Sequence, residues 1–385
     1  MPSSKNLPDL TGSIVDDGTL LLAKLVGVGA YGKLYRAIDA QSCSSSRPSS
    51  WSSTSSSSLP SSSLSSTTSS TASSVYAVKC LKSSGENNPV LDSERTLHFR
   101  VSSHANIVTL YRHFSDTQHT FLVMEFHGSG GMLQAITAGA HQAHLRRHSR
   151  GRPILPFHGV YHRDIKPSNI LVDHEGGNPC LTDFGMATTS QVTDEFERGT
   201  REFMSPESFD MPLNRRYRPA LSDAWALSIT LVNLVTTLLP WRSARIMCDD
   251  HFYTFSFTVG HKRPQFLHSI LPISRALAAL FARAFIVDPN SRISLNQFAR
   301  EVQEMEELFM SEKDVRKASP PVRQIADWVP RPRISESADS DEHPELRTLE
   351  LGSNPNVEFP SLHRENVAGG GIFLRFARRV RFWHK

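Results

Sequence analysis

Four polar residues stand close together near the middle of the chain. The run from Tyr161 to Asn169 reads YHRDIKPSN, and Asp183-Phe184-Gly185 begins fourteen residues after Asn169. Asp164, Lys166 and Asn169 thus share one loop, with Asp183 just beyond it. This is the set needed to hold two metal ions and a nucleophilic hydroxyl against a triphosphate. Such a transfer calls for positioning and charge neutralisation more than covalent chemistry, and carboxylates, an amide and an ammonium are the groups that supply them. A lone Asp-Phe-Gly turns up by chance, but the two motifs in this order and at this spacing are specific.

Other elements must bring a phosphate to these residues. Gly27-Val28-Gly29-Ala30-Tyr31-Gly32 sits between two apolar runs, LLAKLV and KLYRAI. A loop of this kind has no side chains to block its backbone N–H groups from phosphate, although glycines also serve ordinary turns. Val75-Tyr76-Ala77-Val78-Lys79 alternates as a strand does. After it, Asn88 suits a helix cap and Pro89 the first turn of a helix that carries Glu94. Glu86 is the rival acid, but it lies beside Gly85 in a loop-like stretch. Downstream, LSDAWALSITLVNLV carries Asp223 at its start and Asn233 inside; it is too short to span a membrane and reads as a buried helix.

In this order the motifs resemble those of the eukaryotic protein kinase family, of the Ser/Thr type. The resemblance implies an α+β, bilobal fold: a small β-rich lobe with one helix and a larger, mainly helical lobe. It implies ATP and Mg²⁺ as cofactors. Asp164 would be the catalytic base, Lys166 would lie beside the γ-phosphate, and Asn169 and Asp183 would bind the metal. Lys79 would contact the α- and β-phosphates and pair with Glu94; the plain alternative for Glu94 is a solvated helix charge. Gly27, Gly29 and Gly32 would cover the phosphates. Backbone groups near Glu125 and His127 would bind the adenine edge, behind Met124. Thr200 would hydrogen-bond near Asp164 and Lys166. Ser205-Pro206-Glu207 stands where the family has Ala-Pro-Glu, and Glu207 would pair with Arg292. Arg163 would brace the segment from Asp183 to Glu207, pairing with phosphate on Thr188, Thr189, Ser190 or Thr193. Lys166, where tyrosine kinases have Ala or Arg, points to protein substrates with Ser or Thr. The phrases GVYHRD, DFGMATT, FMSPESF and SILPIS look like those of fungal kinases related to regulators of nutrient response and meiotic entry.

The expected organisation is an extension over 1–18, a kinase domain over 19–308 and a tail over 309–385. Residues 42–74 are mostly Ser and Thr and read as a disordered insertion, since they cannot bury enough apolar area to offset their ordering entropy. Between about 134 and 159 the family has a long buried helix. This chain has Arg146, Arg147, Arg150, Gly151, Pro153 and Pro156 there, with no apolar face of period 3.6. That departure keeps a pseudokinase, a scaffold or an inactive isoform as the alternative. A small-molecule phosphotransferase is a third reading, opposed by Lys166 and the Glu207–Arg292 pair. Residues 311–350 are polar, with an acidic patch, and read as a disordered tail. The end, 371–385, places Phe373, Phe376, Val380 and Trp383 on one helical face among arginines. It suits an anionic membrane surface or an acidic partner; the plain alternatives are a segment that docks on its own domain or an unstructured end.

Composition bounds the rest. A chain of 385 residues holds one large bilobal domain with tails. The net charge of +4 is too small to argue for nucleic acid. Four cysteines without a CxxC spacing fit a reducing compartment and give neither a disulfide framework nor a zinc site. The N-terminus lacks an apolar signal region, so the expected location is cytoplasmic, nuclear or both.

Overall fold

The computed structural model describes residues 7–29, 32–40, 74–83, 89–128, 159–172, 179–212 and 214–326. Most of the Ser/Thr-rich stretch, residues 134–158 and the basic C-terminal segment lie outside the described residues. The described residues fall into two compact units. The first holds those up to Gly128, with Gly159, Val160 and 180–189; the second holds the remainder.

The first unit is built on six antiparallel strands. They are β1 (Ile14–Val15), β2 (Leu20–Val28), β3 (Gly32–Asp39), β4 (Val75–Lys82), β5 (Leu110–Ser115) and β6 (His119–Glu125), in the order β1-β2-β3-β4-β6-β5. Alternation along the strands makes the core. Leu20, Leu22, Tyr35, Ala37, Val78, Cys80, Phe121 and Val123 form one buried cluster on one face. Within β4, Val78 and Cys80 belong to that cluster, so Lys79 points to the opposite face. Burial pushes the Cys80 thiol up to about 12. At Gly32 no side chain fits, since an added Cβ would run into the Cys80 carbonyl and the Leu81 side chain.

Among the described residues the longer helix of this unit is α1 (Pro89–Val101), which starts at the expected proline. From Asp92 on, where burial is described, Glu94, Leu97, His98 and Val101 are buried, a spacing of i, i+3, i+4, i+7. Glu94 is thus on the packed face rather than in solvent.

The second unit is helical. Its centre is α2 (Pro219–Thr236), buried on nearly every side. Among the described residues no helix is long and apolar enough to cross a membrane. Asp223 was expected to open this helix, but it sits one turn inside: Pro219 takes the first position, where its missing N–H costs nothing. The helix stops at Thr237, in the left-handed region at φ 59°. Around it stand α3 (Asp250–Phe257), α4 (Arg263–Ile270), α5 (Arg275–Ala284) and α6 (Leu295–Glu304). Asp249, Ser274 and Ser294 each cap a helix by accepting a backbone N–H three residues on. Trp225, Trp241, Phe252, Phe255 and Phe285 interlock with ring centroids 5.0–6.5 Å apart. Truncating one such ring to Ala costs ~3–5 kcal/mol.

The expected disorder from 311 onward is corrected for its first part. Two helices follow Ser311, α7 (Glu312–Lys317) and α8 (Pro320–Ala326). Met310, Val315, Val322 and Ala326 bury a small cluster of their own. Asp314 ties them to α5 through Arg275 at 2.7 Å. Averaged composition hid a few well-spaced apolar residues there.

Candidate functional site

The first unit brings Lys79, Glu94 and Asp183 together. Lys79 Nζ donates to Glu94 Oε1 at 2.7 Å and to Asp183 Oδ1 at 2.8 Å. Burial works against the Lys79 charge, but the carboxylates of Glu94 and Asp183 outweigh it and raise the ammonium's pKa. Asp183 sits in the left-handed region at φ 67°, a strained conformation that a non-glycine residue keeps only where its surroundings demand it. The surroundings are visible. Phe184 is buried and stacks on His98 at 4.8 Å, and His98 Nε2 bonds the Val108 carbonyl at 2.7 Å. A Cβ on Gly185 would lie 3.3 Å from Glu94 Oε2. Nothing in the sequence had singled out His98; its place on the face of Glu94 was the available signal.

The second unit assembles Asp164, Lys166, Asn169 and Thr200. Asp164 Oδ1 accepts from the Thr200 N–H at 2.8 Å and from Thr200 Oγ1 at 2.7 Å. Its Oδ2 accepts from Lys166 Nζ at 2.8 Å and from Asn169 Nδ2 at 3.2 Å. Lys166 also donates to Thr200 Oγ1 at 2.7 Å. Both carboxylate oxygens of Asp164 are therefore aimed. The loop is held from behind by Asp223, whose oxygens accept the His162 N–H at 2.8 Å and the Arg163 N–H at 2.7 Å. Burial raises the Asp223 pKa, opposed by the His162 charge and by these two N–H groups. Arg163 is itself left-handed at φ 64°. Gly199, at φ 116°, packs so closely under the Arg163 carbonyl that a Cβ there would clash.

Two ion pairs flank this loop. Arg292 donates to Glu207 through both ends of its fork, each at 2.6 Å, and its guanidinium lies 4.7 Å over the Trp225 ring. Arg163 Nη1 donates to Glu195 Oε2 at 2.7 Å. The expected partner of Arg163 was phosphate on a Ser or Thr; Glu195 occupies that role here. Beside it lies a cavity of about 450 Å³ lined by Asp194, Phe196, Glu197, Asp210 and Arg245, which no sequence signal marked.

The remaining candidates are less tightly defined. Gly27 lies at the end of β2, Gly29 just past it and Gly32 begins β3, while Ala30 and Tyr31 lie outside the described residues. Glu125 ends β6; its N–H already bonds the Thr109 carbonyl at 2.9 Å, and its carboxylate accepts from Thr109 and lies 3.6 Å from the His127 ring.

The donor set fits a hard cation. Among the described residues no group of three or more His, Cys, Asp or Glu forms a cage. Mg²⁺ does not require one, since it takes one or two carboxylates together with phosphate oxygens. In the first unit the Asp183 side chain stays 37% exposed beside Lys79. In the second, Asn169 commits Nδ2 to Asp164, which leaves its amide oxygen outside these bonds.

The family model described as protein kinase domain matches residues 61–304, well over half of the chain. The match begins inside the Ser/Thr-rich stretch, so the β2–β3 hairpin with its glycines precedes it. A negative regulator of sexual conjugation and meiosis from Schizosaccharomyces pombe is 29% identical over 320 residues, which are 75% of this chain and 60% of that protein. The serine/threonine-protein kinase VHS1 of Saccharomyces cerevisiae is 31% identical over 248 residues, 59% of this chain and 52% of its own. The serine/threonine-protein kinase ksp1 of Schizosaccharomyces pombe is 29% identical over 185 residues, 43% and 38% of the two chains. The chain thus spans between 38% and 60% of the length of these curated relatives.

Proposed function

We propose, from a chain that belongs to the protein kinase domain family, that it moves the γ-phosphoryl group of ATP to serine or threonine hydroxyls of other proteins. The observation that carries this reading is the double anchoring of Asp164. With Oδ1 held by Thr200 and Oδ2 by Lys166 and Asn169, the carboxylate is a preorganised acceptor for a hydroxyl proton. Lys166 is poised to neutralise charge that develops on the transferred phosphoryl oxygens. Lys79, kept charged by Glu94 and Asp183, is suited to the α- and β-phosphates. Asp183 and Asn169 would hold Mg²⁺, which neutralises the phosphate charge when bound. The hydroxyl oxygen forms the new P–O bond, its proton passes to Asp164, and ADP leaves with the electrons of the broken bond. A role in intracellular signalling is part of this proposal, supported by the likeness to a negative regulator of sexual conjugation and meiosis.

The test is transfer of radiolabelled γ-phosphate from ATP and Mg²⁺ to a generic protein substrate by the full chain and by its Asp164→Asn form. Transfer that vanishes in the variant supports the reading. A folded parent protein that binds ATP but transfers nothing favours a scaffold, and turnover on a metabolite alone favours a small-molecule phosphotransferase.

A further inference from the structure

We infer that Glu195 is a built-in counter-charge for Arg163, a positioning residue that orders the segment from Thr193 to Thr200 and steadies Asp164 without a phosphorylated side chain. The inference rests on the transfer reading above for its effect on rate, but its geometry stands apart from it.

Arg163 is only 6% exposed at its side chain, and a guanidinium held there needs an anion. Glu195 supplies one with a charge-assisted bond of 2.7 Å, and its other oxygen lies 3.9 Å from Arg198. The segment around Glu195 is tied at each step. Thr193 and Tyr217 exchange two backbone hydrogen bonds of 2.9 Å. The Glu195 N–H donates to Thr193 Oγ1 at 3.1 Å, and the Tyr217 hydroxyl donates to the Glu195 carbonyl at 3.2 Å. The Glu197 N–H donates to the Ser208 carbonyl at 2.9 Å. Thr193 is buried and its hydroxyl is spent on this turn, which makes it a poor acceptor for a phosphoryl group.

The connection to chemistry is short. Adjacent loop residues Arg163 and Asp164 are bound by Glu195 and Thr200, five positions apart on the segment. The two contacts close a ring, so a loosened Glu195 lets the Thr200 end move against Asp164. A phosphorylated Ser or Thr would bring a charge of about −1.5 to −2 to such an arginine. Here a carboxylate already stands in that place.

Three readouts test this on the full chain: transfer kinetics, amide hydrogen exchange over 190–204, and response to phosphatase. Phosphatase-treated parent protein is expected to keep its activity. Glu195→Gln is expected to lower kcat roughly 10- to 100-fold with KM for ATP little changed, the scale set by a small misplacement of a reacting group. It should also speed exchange over Thr193–Thr200 while the melting temperature of the second unit holds. Glu195→Asp should restore most of both. The inference is overturned if Glu195→Gln matches the parent in rate and exchange, or if phosphatase abolishes parent activity. Should the parent transfer nothing at all, the transfer reading falls, and the exchange comparison still decides the role of Glu195.

Discussion

The Lys79 cluster and the Asp164 cluster solve one problem, holding a charge in place, by different means. Lys79 meets partners 15 and 104 residues away, and every contact joins formal charges. Asp164 meets Lys166 and Asn169, two and five residues away, and only Thr200 comes from afar. The first cluster depends on the seating of α1 and of the Asp183 turn. The second is carried mainly by one loop, whose backbone is pinned by Asp223. A charge cluster assembled across elements should therefore yield large stability effects, and a loop assembled within itself should yield large rate effects.

The largest expected effect is on rate. Asp164→Asn should lower transfer ~10²–10⁴-fold while leaving the melting temperature close to that of the parent. A variant that melts far lower would show that Asp164 is structural and would break the contrast between the clusters.

Next is stability in the first unit. Lys79→Met leaves the Glu94 and Asp183 carboxylates facing each other without a cation, at a cost of ~3–5 kcal/mol. Glu94→Gln leaves Lys79 paired with Asp183 and should cost less, ~1–3 kcal/mol. Denaturant unfolding of both variants and their double mutant reads the coupling directly. Additive losses would mean the pair seen at 2.7 Å carries no energy of its own.

Thr200→Val is a finer probe of the second cluster. It keeps the N–H bond to Asp164 and removes the hydroxyl that bridges Asp164 and Lys166. A loss of about tenfold in kcat is expected, with KM for ATP unchanged, from a net bond worth ~1.4 kcal/mol. An unchanged kcat would leave the backbone N–H as the sole functional contact.

The smallest effect is a pH dependence at Asp223. Burial raises its pKa in the folded state above the unfolded value of about 3.9. Its stabilising contribution is therefore complete below that value and declines as pH rises through the folded pKa. The stability difference between the parent and Asp223→Asn should shrink from about pH 4 upward. A difference that grows with pH would mean the two N–H donors outweigh burial.

Much of the site was legible in the chain because its residues lie close in sequence or at a fixed period. Lys79 stood out on the off-core side of an alternating strand, and Asp164, Lys166 and Asn169 within one short loop. Glu94 was named as the acid on the helix that follows Lys79, and its shared buried face with Leu97, His98 and Val101 emerged in the fold. Glu195 was hidden, since an exposed-looking acid in DEFER carries no periodic signal. The helices after Ser311 were hidden by composition, because four apolar residues suffice for a small cluster that an average over forty residues conceals.

By itself, the sequence determined the chemistry: which side chains are present, the strand and helix periods that orient them, and the loop that holds Asp164 beside Lys166 and Asn169. Tertiary structure alone decided which charges meet. Lys79 with Asp183 and Arg163 with Glu195 are joined across 104 and 32 residues. The physical reason is that a hydrogen-bond pattern along one element repeats with a short period, whereas a pair across elements exists only once packing has paid the entropy of closing the chain between them.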